Sequence, residues 1–491
     1  MGNPPQVWIS HAAQPLTGDC ACPVSTVPGT VPNALWQVHT GAWQQAAATF
    51  RRPLADDWSL LFNLKGNGAV AVLNSTAQQF FDSFATPQCP PAQPDSLSDE
   101  PDWQAAFTAL ASSGFLQPAC LQTEEPLPNA VSTLSAWLHL TNQCNLRCTY
   151  CYLNKDHEHM SPAIGQAAVE SIFRAAQLHG FQTVSLKYAG GEAALNFPVL
   201  NLIQQEALQR AAAGGLTLQA TLLSNGTVLP PRMLDYLCGH GIGLMISLDG
   251  IGTVHDRQRP TIGAQGSFAQ VDRSIDRALA YGVHPHLSIT VTQENAESLA
   301  ETVRYALDKG LRFNLNFYRD QDHRQHSSEI RAGHAQLIQG LLAAFEVIAQ
   351  KLPNIRLIDS MIDRSAFHGA HENACGAGHS YLVIDHHGNV ARCQMEIEKP
   401  VSSVFAENPL QTLRVHGHAF NLPAAVKEGC RSCEWQSWCA GGCPVLTLRA
   451  TGRTDIQSPY CNVYKAVFPE LLKLEGMRLL KYGQNAWDRS V

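Results

Sequence analysis

Residues 141–153, TNQCNLRCTYCYL, hold three cysteines in the spacing CxxxCxxC, with the aromatic Tyr150 directly before the last of them. Thiolates bind zinc ions and iron–sulfur clusters, and a structural zinc ion usually takes four protein ligands. Three thiolates on a four-iron cluster leave one iron open, which can hold a small molecule and pass it an electron. The spacing therefore favours an iron–sulfur cluster on Cys144, Cys148 and Cys151 over a structural zinc site.

The composition is that of a globular protein, because 45% of the 491 residues are hydrophobic and 15% are charged. Two or three domains are expected at this length. The net charge of −7, without a basic stretch, argues against nucleic acid as a partner. There is no signal-peptide pattern and no long apolar run, so we expect a cytoplasmic protein without a membrane partner. Fifteen cysteines in that compartment indicate metal or redox chemistry rather than disulfides.

Strands and helices alternate between about residues 135 and 320. The strand-like segments are 136–141, 183–190, 216–226, 243–250, 284–292 and 311–318, and the helical ones include 162–178, 197–213, 268–281 and 296–309. Six β/α units imply a parallel sheet, and we predict a partial (β/α)6 barrel. Function in such folds lies at the carboxyl ends of the strands, and the three-cysteine loop follows the first strand directly.

Before the barrel, the pattern predicts a small α+β unit. Residues 58–74 contain two β-type runs around Gly66-Asn67-Gly68, which is a hairpin signal. Two helices follow, and the first is predicted to be capped by Ser75. Pro-rich stretches at 88–97 and 123–129 interrupt the chain.

Seven further cysteines lie in a segment of short turns towards the C-terminus: Cys375, Cys393, Cys430, Cys433, Cys439, Cys443 and Cys461. A helix at 464–481 is predicted to close the chain. Three other cysteines are interpreted as small buried apolar residues: Cys89, Cys120 and Cys238. His386 and His387 lie in a predicted Asx-type turn, DHHGN, and are interpreted as exposed rather than ligating.

The three-cysteine loop resembles the signature of the radical S-adenosylmethionine (SAM) enzymes, with Tyr150 as its aromatic. AGGEAAL at 189–195 is similar to the GGE motif that follows the second barrel strand of these enzymes. The resemblance implies that Gly190, Gly191 and Glu192 receive the methionine amino group of SAM. Tyr150 is a further expected cofactor contact.

Two more strands carry matching motifs in the expected order. LLSNGT at 222–227 is similar to the ribose-contacting strand, which implies roles for Ser224 and Asn225. MISLDG at 245–250 is similar to the fourth strand, which implies that Ser247 and Asp249 lie near the nucleoside or the substrate.

The C-terminal cysteines resemble the seven-cysteine pattern of the SPASM extension, found on radical SAM enzymes that modify peptides and proteins. The resemblance implies one auxiliary [4Fe–4S] cluster that is fully ligated by protein, on Cys430, Cys433, Cys439 and Cys461. It implies a second on Cys375, Cys393 and Cys443, with one iron free or bound by substrate. The expected cofactors are thus SAM and three [4Fe–4S] clusters.

The N-terminal unit resembles the winged-helix-like precursor-recognition (RRE-like) domains of ribosomal peptide maturases. Such a domain binds the leader of a precursor peptide as an added strand. The alternative is a winged-helix DNA binder, which the acidic balance disfavours. The expected organisation is a recognition domain at 1–125, the barrel at 130–365, a Cys-rich iron–sulfur domain at 370–465, and a helix and tail at 466–491.

These resemblances imply an enzyme that abstracts hydrogen from a precursor peptide through a 5′-deoxyadenosyl radical and installs an oxidative cross-link, thioether or C–C. A flavodoxin or ferredoxin would supply electrons. The nearest rival is formylglycine formation on a sulfatase; relatives that do so carry an acid after the second SPASM cysteine. Here Gln394 follows Cys393, and Glu396 is the first acid. Epimerisation, tyramine excision and a non-catalytic iron–sulfur scaffold that binds peptide are further alternatives.

Overall fold

The N-terminal part of the chain forms an antiparallel sheet with two helices against one face. The computed structural model describes residues 4–11, 41–91, 103–120, 131–321 and 327–483. The elements up to residue 120 are β1 (Val7–Ser10), β2 (Trp43–Gln45), β3 (Thr49–Pro53), β4 (Ser59–Asn63), β5 (Val70–Leu73), α1 (Ser75–Ser83), α2 (Trp103–Ser112) and β6 (Leu116–Pro118). The sheet order is β1-β5-β4-β3, and β2 pairs with β6. The stretch at 123–129 lies outside the described residues.

The predicted hairpin is confirmed, because β4 and β5 pair antiparallel on either side of the glycine turn, with Leu61 opposite Ala71. Helix α1 follows, but its N-cap is Asn74 rather than Ser75. The Asn74 side chain accepts from the Ala77 backbone N–H at 2.9 Å, and its backbone has the extended conformation of a cap. The prediction of the cap was wrong by one residue because Ser75 is already helical.

Both faces of the two central strands of this sheet, β4 and β5, are buried. Leu61 packs with the helices in a core that includes Phe81 and Phe107. The alternate residue Phe62 faces the rest of the molecule, where its ring centroid lies 4.6 Å from that of Trp438. The Trp438 indole N–H donates to the Leu64 carbonyl oxygen at 2.9 Å. The α+β unit is therefore attached to the C-terminal part of the chain through its second face.

The predicted partial (β/α)6 barrel is confirmed. Its parallel strands, adjacent in this order, are β7 (Thr133–His139), β8 (Thr183–Ala189), β9 (Thr217–Ser224), β10 (Gly243–Ser247), β11 (His286–Val291) and β12 (Phe313–Phe317). The helices are α3 (Pro162–Leu178), α4 (Phe197–Gly214), α5 (Pro231–Gly239), α6 (Thr253–Gln258), α7 (Phe268–Ala280), α8 (Leu299–Asp308) and α9 (His334–Lys351). Strand β7 is buried at every residue, as expected for a parallel strand covered on both faces.

The register of the barrel brings the ends of its first three strands together. His139 at the end of β7 pairs with Ala189 at the end of β8, and Tyr188 pairs with Leu222 in β9. The loops that follow these strands are therefore neighbours, although they are far apart in sequence.

The C-terminal block continues the barrel sheet. Strand β13 (Tyr381–Ile384) pairs parallel with β7, and β14 (Asn389–Ala391) and β15 (Ser402–Ser403) extend the sheet antiparallel. The remaining helices are α10 (Pro409–Val415), α11 (Gln436–Cys439), α12 (Pro444–Thr451) and α13 (Cys461–Tyr482). Helix α13 begins three residues before the predicted start, at a cysteine. No helix in the described ranges has the length and apolar character needed to span a bilayer.

Candidate functional site

The loop after β7 places three thiols at one cavity of about 240 Å³, at the carboxyl ends of the barrel strands: those of Cys144, Cys148 and Cys151. All three are free thiols, the first two buried and the third half-buried. The loop is held across the barrel by backbone hydrogen bonds to the last residue of α6 and to the segment that follows it. Arg147 N–H donates to Pro260 at 2.7 Å, and Thr149 N–H donates to Gln258 at 2.9 Å.

Gly190 and Gly191 let the end of β8 approach the backbone of this loop. Gly190 has φ +146°, and a Cβ there would lie 2.5 Å from the Thr141 carbonyl oxygen. A Cβ on Gly191 would lie 2.3 Å from the Gln143 carbonyl oxygen. Gly191 N–H donates to Thr141 at 2.7 Å. The glycine pair is thus required for packing as well as expected for cofactor binding.

Glu192 links the ends of β8 and β9 from behind the cavity wall. Its carboxylate accepts from the Asn225 backbone N–H at 2.7 Å, the Ser224 hydroxyl at 2.9 Å and the Ala194 backbone N–H at 3.1 Å. Burial raises the pKa of Glu192, although these donors act against the shift. Glu192 therefore positions Ser224 and Asn225, and is not itself a lining residue.

Tyr150, Asp249 and Arg259 form a buried hydrogen-bonded group beside the thiols. The Tyr150 hydroxyl donates to Asp249, and Arg259 donates both to that hydroxyl and to the Asp249 carboxylate, the latter at 3.2 Å. The second Asp249 oxygen accepts from the Thr290 backbone N–H at 2.8 Å. Asp249 is fully buried, so it fixes Tyr150 and Arg259 from behind the wall.

The cavity wall contains six of the eight predicted cofactor contacts: Tyr150, Gly190, Gly191, Ser224, Asn225 and Ser247. Glu192 and Asp249, in contrast, lie behind the wall. Sequence reasoning did not predict that Arg319, Gln394 and Met395 would also line this cavity. Arg319 comes two residues after β12. A charged residue directly after a barrel strand indicates a functional position, so the sequence did contain a signal for Arg319. Gln394 directly follows a predicted cluster ligand, Cys393.

The C-terminal cysteines fall into the two predicted groups. Cys433 and Cys461 lie close enough to Cys430 and Cys439 to help raise the pKa of those two thiols. Cys375 and Cys443 lie close enough to Cys393 to help raise its pKa. Burial and then the neighbouring Cys443 raise the pKa of Cys393 to about 12. Cys443 differs from Cys393 in its surroundings, because the Arg319 guanidinium donates a hydrogen bond to the Cys443 sulfur at 3.2 Å.

These cysteines fit iron–sulfur clusters in their donor chemistry. Burial raises the pKa of Cys148 to about 11, because the nearby positive charges of Arg259 and Lys155 do not offset the lost solvation of the thiolate. Iron ions would supply further positive charge, since metal binding requires the deprotonated thiol. Ser224, Asn225 and Ser247 line the same cavity and offer polar contacts to SAM.

Two predictions about other residues were wrong. Cys89, Cys120 and Cys238 are exposed rather than buried. The Asx turn is present, since the Asp385 carboxylate accepts from His387 N–H at 2.9 Å, but His386 is only 9% exposed. Its ring lies 5.7 Å from the buried His139 ring, which covers it.

Comparison with known proteins identifies the barrel. The sequence profile of the radical SAM superfamily matches residues 138–306. The antilisterial bacteriocin subtilosin biosynthesis protein AlbA of Bacillus subtilis is 26% identical over 283 residues, which cover 55% of this chain and 56% of AlbA. The chain thus spans little more than half the length of that relative.

A second relative aligns over most of its length. The cysteine-type anaerobic sulfatase-maturating enzyme of Clostridium perfringens is 20% identical over 350 residues, which cover 66% of this chain and 92% of that enzyme. The solved structure of native anSMEcpe with bound AdoMet and Kp18Cys peptide has the same fold, with a TM-score of 0.59 and 19% identity over 70% of this chain and 99% of that one. Residues 138–306, which include the cysteine loop and most of the barrel, are thus a radical SAM domain.

Proposed function

We propose that this chain is a cytoplasmic radical SAM maturase that removes hydrogen from a ribosomally made precursor peptide and installs an oxidative cross-link, either a thioether or a C–C bond. The observation that carries this proposal is the shared cavity wall. The three thiols of the barrel loop line one part of it, while Gln394, next to Cys393, and Arg319, which contacts Cys443, line another. A peptide in this cavity would react beside a second redox site, as a net oxidation requires.

Three [4Fe–4S] clusters and SAM, when bound, would supply one-electron chemistry that removes hydrogen from an unactivated carbon and takes up the second electron. Cys144, Cys148 and Cys151 would hold the SAM-binding cluster, and the two C-terminal cysteine groups would hold the auxiliary ones. Gly190, Gly191, Ser224, Asn225, Ser247 and Tyr150 would contact SAM.

Two further residues lie behind the cavity wall and position the side chains that line it. Glu192 orients Ser224 and Asn225, and Asp249 holds Tyr150 and Arg259 in place. Because the cavity wall is contributed by both the barrel and the C-terminal block, a bound peptide would be shielded from water on both sides.

The N-terminal unit, within residues 1–125, is proposed to bind the leader of the precursor peptide. Within the part of the unit that the structure describes, the sheet has four strands, and its edges are β1 and β3. An extended leader would add along one of these edges through backbone hydrogen bonds. The unit is attached to the C-terminal block through Phe62 and Trp438, which would keep a bound leader near the cavity.

Formylglycine formation is the second candidate, because the match to a sulfatase-maturating enzyme covers 92% of that protein. The position after Cys393 is nevertheless Gln394, whose side chain accepts from the Tyr381 hydroxyl at 2.9 Å. Glu396 is 6% exposed and lies outside the cavity wall. These two observations favour the cross-linking reaction.

Anaerobic co-expression with a short peptide encoded beside the gene tests the proposal. A loss of about 2 Da per site would indicate a two-electron oxidation, and fragmentation would locate the link. A carbonyl-reactive probe would label formylglycine but leave a cross-link unlabelled, so it separates the two candidates. Flavodoxin or ferredoxin would be supplied as the electron donor.

An unchanged peptide mass would contradict cross-linking and direct the search to epimerisation. Failure to cleave SAM under reducing, oxygen-free conditions would favour the non-catalytic scaffold. Cys238→Ala is the matched control for all cysteine variants, because Cys238 is an exposed free thiol.

A further inference from the structure

Three side chains with metal-binding atoms meet at the surface of the molecule, outside the cavity wall. His386 Nε2 lies 3.0 Å from a Glu158 carboxylate oxygen, and His387 Nε2 lies 2.9 Å from the same oxygen. One ligand atom from each of the three residues falls within 4.8 Å of the others. Two imidazoles and one carboxylate are a donor set typical of zinc sites.

The backbone on the barrel side of this group is fixed. The Glu158 carbonyl oxygen accepts from Asn142 N–H at 3.0 Å and from the Thr141 hydroxyl at 3.0 Å. Glu158 N–H donates to the Asp156 carboxylate at 2.8 Å. Glu158 is therefore anchored to the first residues of the three-cysteine loop.

The backbone on the C-terminal side is fixed as well. The two histidines lie in the turn between β13 and β14, where one Asp385 oxygen accepts from His387 N–H at 2.9 Å and from Asn389 N–H at 2.8 Å. The site thus joins two segments, each held by its own hydrogen bonds, so little ordering is required for an ion to bind.

His386 supplies a second, independent observation. Its side chain is only 9% exposed and is turned with Nε2 towards Glu158, while Nδ1 has no hydrogen-bond partner among the described residues. The buried ring therefore makes its contact with Glu158 through Nε2, the nitrogen that would face a bound ion. In contrast, Glu158 and His387 are 56% and 57% exposed, so a fourth position is open to water.

We propose that Glu158, His386 and His387 bind one divalent transition-metal ion of the zinc class. The ion would fasten the turn between β13 and β14 to the segment that follows the three-cysteine loop. Imidazole nitrogen with carboxylate oxygen selects zinc and its neighbours over calcium or magnesium, which prefer oxygen ligands alone. The proposal does not depend on the chemistry proposed for the cavity.

The test measures zinc bound by the cluster-loaded protein. The holoenzyme would be dialysed without oxygen against micromolar Zn²⁺, and zinc and iron would be measured per chain. We expect the wild type and the control His284→Ala, an exposed histidine elsewhere, to hold one more zinc ion than Glu158→Gln and His387→Ala.

Equal zinc content in all four proteins would overturn the proposal. Zinc at the exposed cysteines adds the same amount to each protein, so it cannot mimic the expected difference. Unchanged iron content shows that a variant is folded. If His387→Ala loses iron, the zinc content of Glu158→Gln decides the test. That variant should stay folded, because an exposed side chain is replaced by one of the same size.

Discussion

The three-cysteine loop that lines the cavity and the cysteine group that lies next to the cavity wall are built in opposite ways. Cys144, Cys148 and Cys151 come from one short loop, and burial is the largest influence on the first two, whose pKa it raises. Cys375, Cys393 and Cys443 come from three separate segments. Burial also acts to raise the pKa of Cys443, but Arg319, Arg364 and the Leu446 backbone N–H together outweigh it, and the pKa is lowered.

The two regions differ in what positions their thiols and in which charged groups lie beside them. The loop is positioned by backbone contacts, such as the approach of Gly191 to Gln143. Cys443 is positioned beside a guanidinium that is itself held by Asp363, with Arg319 Nη2 at 2.6 Å from the carboxylate. Backbone packing thus positions the first region, whereas in the second region a cation lowers the pKa of one thiol, that of Cys443.

The strongest test of the comparison is Cys148→Ala, which removes one ligand from the barrel loop. We expect SAM cleavage to be abolished and the iron content to fall by about four per chain, while the C-terminal clusters are retained. Cleavage assays and iron analysis measure this, with Cys238→Ala as the control. Surviving cleavage would mean that the loop has been assigned wrongly.

Cys439→Ala removes a ligand from the group that contains Cys430 and Cys461. We expect iron to fall by about four per chain and peptide oxidation to be lost, while SAM cleavage continues. Mass spectrometry of the peptide, with 5′-deoxyadenosine measured in parallel, separates the two activities. Loss of both activities together would mean that the two regions do not act independently.

Gly191→Ala tests the backbone packing of the loop. The new Cβ would lie 2.3 Å from the Gln143 carbonyl oxygen, so we expect a loss of about 1–3 kcal/mol in the free energy of unfolding. The matched control is Gly239→Ala in α5, where a Cβ meets nothing within 4 Å. Denaturant unfolding measures both variants, and equal stability would contradict the packing argument.

Arg319→Gln tests the cation beside Cys443. Loss of the positive charge and hydrogen bond should disfavour the reduced cluster, because reduction adds negative charge. We expect about a tenfold shift in the reduction equilibrium, about 59 mV to more negative potential for one electron. EPR-monitored titration measures this shift. Arg331→Gln is the control, because Arg331 pairs with Asp320 at 3.1 Å. An unchanged reduction potential would show that Arg319 lines the cavity but does not influence the cluster beside Cys443.

Much of the fold could be predicted because its signals are local. Helix α3 has the bounds that the sequence pattern indicated, Pro162–Leu178, and the structure shows that Ser161 caps it. The Asn74 cap was missed because two adjacent polar residues can both cap a helix, and only the backbone conformation distinguishes them. Cys238 was predicted buried from its residue type alone, but it lies on the exposed side of α5.

Chain order and spacing alone indicated the three-cysteine loop and the glycine pair after β8. The division of the C-terminal cysteines into two groups was an expectation from their resemblance to the SPASM pattern. Only the tertiary structure decided that Glu192 and Asp249 lie behind the cavity wall and that Arg319 touches Cys443, 124 residues away. The same holds for Glu158 and His386, which are 228 residues apart. Such contacts depend on how strand ends and loops meet across the sheet, and no local pattern in the chain encodes that distance.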